Sequence, residues 1–215
     1  MSDPEGLNEA DELSSGSISR RSFLKGVSGG VAAAGLMTAG IAPATVEAAG
    51  GGTTLGPGAS DLTLIVNGQK RRTKAEPRHT LLQVLRDKLD VTGPKSICDR
   101  GSCGGCTVMV DGESVYGCMM LAVDAAGKEI TTVEGIAKGD DLDPVQKAFI
   151  EHDAQMCGFC TPGFVISVRA LLNQNPNPTM DDVKSAVSGN LCRCGTYPRV
   201  FEAALTAAKL QRGEV

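Results

Sequence analysis

Eight cysteines carry most of the chemistry this 215-residue chain can offer, and they fall into two groups of four: Cys98, Cys103, Cys106 and Cys118, then Cys157, Cys160, Cys192 and Cys194. The first group reads C-x4-C-x2-C, with its fourth cysteine after eleven further residues. That is the plant-type ferredoxin spacing for a [2Fe–2S] cluster. Its loop, Cys98-Asp99-Arg100-Gly101-Ser102-Cys103-Gly104-Gly105-Cys106, suits the task physically. Thiolates must converge on one inorganic core while backbone N–H groups point at its sulfurs, and Gly101, Gly104 and Gly105 can supply the positive φ such a wrap demands. Arg100 adds a positive charge that helps keep thiolates deprotonated.

The second group differs in kind. Cys157-Gly158-Phe159-Cys160 and Cys192-Arg193-Cys194 are separated by thirty-one residues that read as helices. Both pairs fall at or before helix N-termini, where the dipole and free N–H groups favour anionic thiolates. Two other readings stay open on spacing alone. An even cysteine count in an exported chain fits four disulfides, although bridges within Cys157–Cys160 or Cys192–Cys194 constrain little. Two four-cysteine zinc sites are the other possibility, for which C-x4-C-x2-C is an unusual spacing.

The elements that must position the first quartet read as a small β-grasp sheet. Leu62, Leu64 and Val66 alternate with other residues, Asn67-Gly68 is a hairpin turn, and Gln69 to Lys74 forms the return strand. Thr80 caps a helix whose apolar face is Leu81, Leu82, Val84, Leu85 and Leu89, expected to end at Gly93-Pro94. Thr107–Val110, the Asp111-Gly112 turn and Glu113–Tyr116 make a second hairpin leading to Cys118. Around the second quartet four helices are expected: Asp143-Pro144 to about His152, Thr161-Pro162 to Asn173, Thr179 to about Val187, and Pro198 to about Gln211.

The N-terminal stretch reads as a delivery label. Polar residues precede Ser19-Arg20-Arg21-Ser22-Phe23-Leu24-Lys25, then comes a mild Gly/Ala-rich run from Gly26 to about Ala44, with small residues at Val46-Glu47-Ala48. This is the order of a cleaved twin-arginine export signal. The expected organisation is 1–48 twin-arginine signal peptide, 49–60 flexible linker, 61–138 ferredoxin-like domain around the first quartet and 139–215 helical domain around the second. Such a signal carries folded proteins, which is how a cluster built in the reducing cytoplasm can reach the periplasm. A net charge of −4 without a basic block, with 3% aromatic residues, argues against nucleic acid as a partner. His79 and His152, the two histidines, lie outside the quartets and read as surface or capping residues. Met119 and Met120 read as packing. No Ser/His/Asp arrangement or phosphate-cradling loop is present, so no catalytic residue is assigned.

From Asp61 to about Ala208 the sequence resembles the small iron–sulfur subunit of the xanthine oxidase family of molybdenum hydroxylases. The resemblance rests on Cys98-Asp99-Arg100-Gly101-Ser102-Cys103-Gly104-Gly105-Cys106-Thr107-Val108, Cys157-Gly158-Phe159-Cys160-Thr161-Pro162-Gly163 and Gly189-Asn190-Leu191-Cys192-Arg193-Cys194-Gly195-Thr196-Tyr197. It implies an α+β fold in which a β-grasp plant-type ferredoxin-like domain precedes a four-helix-bundle [2Fe–2S] domain, each holding one of two [2Fe–2S] clusters on its quartet. It also implies a large partner subunit where the molybdopterin cofactor and substrate oxidation reside. Electrons would pass first to the cluster on Cys157, Cys160, Cys192 and Cys194, then to that on Cys98, Cys103, Cys106 and Cys118, and on to an FAD subunit or a cytochrome c. Two departures stand out. Met156 separates Gln155 from Cys157, where many members have Gln directly before the cysteine, so no pterin contact is assigned to Gln155. Cys194-Gly195-Thr196-Tyr197 looks more like the subgroup acting on N-heteroaromatics or aldehydes, some members of which lack a flavin subunit. The function implied is that of the electron-transfer subunit of a periplasmic molybdenum hydroxylase. The alternatives are a free-standing two-cluster carrier and a disulfide-stapled exported binding module.

Overall fold

The chain alternates between residues that favour pleated strands and residues that favour helices, and the computed structural model, which describes residues 56–214, follows that division. The leader and most of the linker, residues 1–55, lie outside the described residues. Strands β1 (Ser60–Val66) and β2 (Gln69–Ala75) form a hairpin through Asn67-Gly68, both with positive φ, in the register Val66 opposite Gln69. Strands β3 (Thr107–Val110) and β4 (Glu113–Tyr116) form another through Asp111-Gly112. A fifth strand, β5 (Glu129–Thr131), lies between the hairpins and gives the order β2-β1-β5-β3-β4. It runs parallel to β1 and antiparallel to β3.

This central strand was not expected, and its position has a local cause. The two hairpin turns clasp it: the Asn67 N–H donates to the Ile130 carbonyl, and the Asp111 N–H donates to that of Glu129, each at 2.8 Å. The Asn67 side chain accepts from the Thr132 N–H at 2.9 Å. Strand β2, rich in Lys and Arg, takes the sheet edge, where charge blunts unwanted pairing.

One sheet face, with Leu62, Leu64, Val66, Val108, Val110 and Ile130, packs on Leu81, Val84, Leu85 and Leu89. Helix α1 (Leu81–Gln83) opens with a reciprocal Thr80–Gln83 capping box and continues as a π-helical turn over Val84–Lys88. It ends earlier than the Gly93-Pro94 stop read from the sequence. The N–H groups of Leu89 and Val91 close wide turns onto Val84 and Leu85, and Asp90 takes a positive φ of 56°.

Helices α2 (Pro144–Glu151), α3 (Thr161–Gln174), α4 (Met180–Ala186) and α5 (Tyr197–Arg212) share a separate core of Val145, Phe149, Phe164, Val168, Leu172, Val183 and Val200, with the alanines of α5. Asp143, with Pro144 at the first turn, and Thr179 start α2 and α4 through capping boxes, and Gly213 ends α5 in the left-handed conformation. The two cores meet at β3, where all four residues are buried. Val108 and Val110 face α1, while Met109 packs with Ile166 and Ala170 of α3.

Candidate metal centres

Each quartet is assembled from a loop and the start of an element that fixes it. Cys98, Cys103 and Cys106 lie on the loop between α1 and β3, and Cys118 follows β4. Cys157 and Cys160 close the turn before α3, whose N-cap is Cys160, while Cys192 and Cys194 precede α5. All eight thiols are free.

The thiols act on one another in pairs. Cys103 acts on the acidity of Cys98, Cys118 on that of Cys106, Cys192 on that of Cys160 and Cys157 on that of Cys194. The pairs of one quartet also feel each other's charge, Cys103 acting on Cys106 and Cys157 on Cys160. Tyr116, raised by burial and then by all four thiols of the first quartet, marks their convergence. Among the described residues no three Cys, His, Asp or Glu side chains close on one point as a single-ion site requires.

The electrostatics differ within each quartet. Burial pushes Cys106 and Cys160 up to about 12, with the neighbouring thiols Cys118 and Cys192 adding to it. Cys98 is lowered to about 7, first by the backbone N–H of Arg100. The Arg100 side chain instead turns to the Cys98 carbonyl, Nε to O at 3.1 Å. The thiolate is therefore favoured by Arg100's backbone and not, as the sequence suggested, by its guanidinium. At Cys192 burial acts upward but is outweighed by the Thr196 hydroxyl and N–H, so the thiol falls to about 7.

The loop conformation is close to the expected one, with one exchange. Gly101 and Gly104 take positive φ, whereas Gly105 does not and Asp99 does, at 51°. The Gly101 N–H points at Cys118 Sγ at 3.3 Å and the Thr196 N–H at Cys192 Sγ at 3.5 Å. Thiols paired in this way, with N–H donors aimed at sulfur, fit a sulfur-rich cluster.

The quartets touch through one short segment. Asn190, buried, accepts from the Ser167 hydroxyl at 2.8 Å and donates to the Gly104 carbonyl at 3.0 Å. The Leu191 N–H donates to the Cys103 carbonyl at 2.9 Å, and the Tyr116 hydroxyl donates to the Gly189 carbonyl at 3.0 Å. Sequence reading quoted Asn190 within a motif but gave it no role, because its partners lie 86 and 23 residues away.

The remaining candidates fall where the bland readings put them, with one exception. His79 accepts from the Glu76 N–H and His152 hydrogen-bonds Thr206; neither meets a thiol. Met120 packs on the sheet core, but Met119 is 64% exposed over Gly101 and is not core packing. Gln155 lines a cavity of about 510 Å³ beside Cys194, with Met156, Thr196 and Arg199. Met156 and Phe159 stand largely exposed beside the exposed thiols Cys157 and Cys194.

Residues 64–132 match the family model of the 2Fe-2S iron-sulfur cluster binding domain, and residues 132–205 match that of the [2Fe-2S] binding domain. The chain is 38% identical over 219 residues to the aldehyde oxidoreductase iron-sulfur-binding subunit PaoA of Escherichia coli, covering 94% of this chain and 92% of that subunit. It is 45% identical over 147 residues to the nicotine 6-hydroxylase small subunit of Paenarthrobacter nicotinovorans, covering 68% of this chain and 88% of that one. Among solved structures, a chain of quinoline 2-oxidoreductase from Pseudomonas putida 86 aligns with a TM-score of 0.68 at 40% identity, over 73% of this chain and 99% of that chain.

Proposed function

The chain belongs to the iron–sulfur subunits of the xanthine oxidase family of molybdenum hydroxylases, and from that premise we propose that it relays electrons for a periplasmic molybdenum-dependent hydroxylase or dehydrogenase. Cys98, Cys103, Cys106 and Cys118 hold one [2Fe–2S] cluster in a ferredoxin-like domain, residues 61–138. Cys157, Cys160, Cys192 and Cys194 hold the other in a four-helix-bundle domain, residues 139–215. Thiols that neighbour one another in pairs would suit a two-iron core. Each cluster, when bound, takes up and passes on one electron at a time.

The observation that carries the relay is the Leu191-to-Cys103 hydrogen bond, because each of its ends belongs to, or adjoins, a ligand of a different quartet. Cys157 and Cys194 are exposed with Met156 and Phe159 around them, which suits a face covered by the large subunit that holds molybdopterin and oxidises the substrate. With both clusters bound, electrons would enter there, leave the helical domain beside Cys192, cross to the Cys103 loop and pass to an FAD subunit or a cytochrome c. Relatives whose names specify aldehyde oxidoreductase and nicotine 6-hydroxylase support an aldehyde or N-heteroaromatic substrate for the complex. The Arg20-Arg21 leader supports export of the folded chain.

The test is an electron paramagnetic resonance spectrum of the dithionite-reduced protein, purified without reconstitution, with iron quantified on the same sample. Two distinct [2Fe–2S] signals and about four iron per chain are expected; a single signal, or none, overturns the relay. Purification of the chain without a large subunit would favour a free-standing carrier instead.

A further inference from the structure

The helical quartet is divided: Cys157 and Cys194 are exposed, Cys192 is buried and Cys160 half-buried. Two threonines flank the inner pair. Thr196 is buried, with Oγ1 3.1 Å from Cys192 Sγ. Thr161 directly follows Cys160, and its Oγ1 is the one buried side-chain polar atom among the described residues with no hydrogen-bond partner. A buried hydroxyl left unsatisfied costs free energy and calls for an explanation, such as an absent group that accepts from it. The ferredoxin-type quartet has no equivalent. There Cys118 receives the Gly101 N–H, and among the described residues no hydroxyl bonds a thiol.

We infer that Thr161 and Thr196 tune the reduction potential of the helical cluster, their hydroxyls donating hydrogen bonds to its sulfurs at the Cys160 and Cys192 end. The inference rests on the assignment of Cys157, Cys160, Cys192 and Cys194 as cluster ligands. Reduction adds one electron and raises the negative charge on those sulfurs, so a donated O–H stabilises the reduced state more than the oxidised one. No bond breaks in that step, and each hydroxyl keeps its proton. The effect is confined to the helical cluster, which gives the relay a means of setting the driving force between its two centres. The inner pair sits beside buried apolar residues such as Phe164 and Val200, which offer it no polar contact, so the two hydroxyls add to the Thr196 N–H as donors there.

An EPR-monitored redox titration of the full chain, carrying Thr161→Val, Thr196→Val or the corresponding Ser substitutions, tests this. Each Val variant is expected to shift the helical-cluster equilibrium about tenfold toward the oxidised form, about 59 mV for a one-electron couple. The ferredoxin-type signal stays in place, and each Ser variant, which keeps the hydroxyl, titrates as wild type. Val variants with the wild-type potential overturn the inference, as do Ser variants that shift as far as Val. Loss of the helical signal from Val and Ser variants alike also overturns it, since the methyl packing would then be what matters. Loss from Val alone supports a requirement for the hydroxyl. A wild-type chain without two signals defeats the relay itself, an outcome separate from unchanged potentials in a two-cluster protein.

Discussion

The amide of Leu191 donates to the carbonyl of Cys103 at 2.9 Å, joining a residue next to the second thiol quartet to a member of the first. The contact is held from several sides. Asn190 ties α3 to the first loop, Tyr116 reaches from the end of β4 to the Gly189 carbonyl, and Gly163 on α3 lies against the Gly104 carbonyl. Two loops that each hold a quartet are thus fixed to one another by buried polar bonds.

Asn190→Ala removes the centre of that arrangement. The Ser167 hydroxyl loses its partner in the interior and the Gly104 carbonyl loses one of its donors, where a group left unsatisfied costs about 1–3 kcal/mol. Thr107 still donates to Gly104 at 2.6 Å, so the lower end, about 1–2 kcal/mol, is expected. Denaturant midpoints of wild type and variant at equal iron content measure it. A shift below about 0.5 kcal/mol, the range of ordinary surface substitutions, would show that Asn190 is dispensable.

Gly163→Ala probes the same junction by volume. An added Cβ runs into the Gly104 backbone carbonyl, which cannot rotate away as a flexible side chain can. Overpacking of this kind costs about 1–3 kcal/mol, and because Gly104 lies between Cys103 and Cys106, reduced iron in the ferredoxin-type site is expected too. Gly58→Ala, in open space, is the control. Full iron content and an unchanged midpoint in Gly163→Ala would mean that the loops are not held at this distance.

Much of this was legible in the sequence because the signals are local. Thr80 with Gln83, Asp143 with Pro144, and Thr179 with Asp182 declare helix starts within four residues, and Asn67-Gly68 and Asp111-Gly112 declare hairpins. The cysteine spacing is equally local, and its members influence one another in neighbouring pairs. What escaped is non-local. Strand β5 has three residues and one buried apolar side chain, too short for a periodicity, and is defined by turns at Asn67 and Asp111. The pairwise meeting of thiols and the Asn190 node likewise depend on packing between residues far apart in the chain, and the hydroxyl of Thr161 becomes notable only once its lack of a partner is seen.

Cys194→Ser tests whether the quartets load independently. Cys194 neighbours Cys157, and both thiols are exposed. One EPR signal should vanish and iron should fall by about half, to about two per chain, with the ferredoxin-type signal retained. Simultaneous loss of both signals would show that the two sites assemble as a single cooperative unit.

The proposed export predicts a cellular phenotype. If this chain alone carries the signal, its partner must ride with it, and replacing Arg20-Arg21 by Lys-Lys should leave both this chain and the large subunit in the cytoplasm. Fractionation followed by immunoblotting of both chains reads the outcome. A large subunit that still reaches the periplasm would carry its own address, and the shared-leader idea would fail.

The cap of α4 supplies a pH signature with a definite sign. Asp182 Oδ2 accepts from both the N–H and the hydroxyl of Thr179, each at 2.8 Å, and these bonds, the backbone one foremost, hold its carboxyl below the usual carboxylate value. A carboxyl depressed in the folded state stabilises that state fully above the unfolded pKa of about 3.9. The contribution is lost as pH falls through the lower folded value. Asp182→Asn keeps an acceptor oxygen but not the charge that favours a helix N-terminus, so the variant should melt below wild type at neutral pH. The gap should hold down to about pH 4 and narrow below it. Paired thermal melts across that interval measure it, and a gap that persisted in acid would assign the loss to altered packing of α4 rather than to the ionised cap.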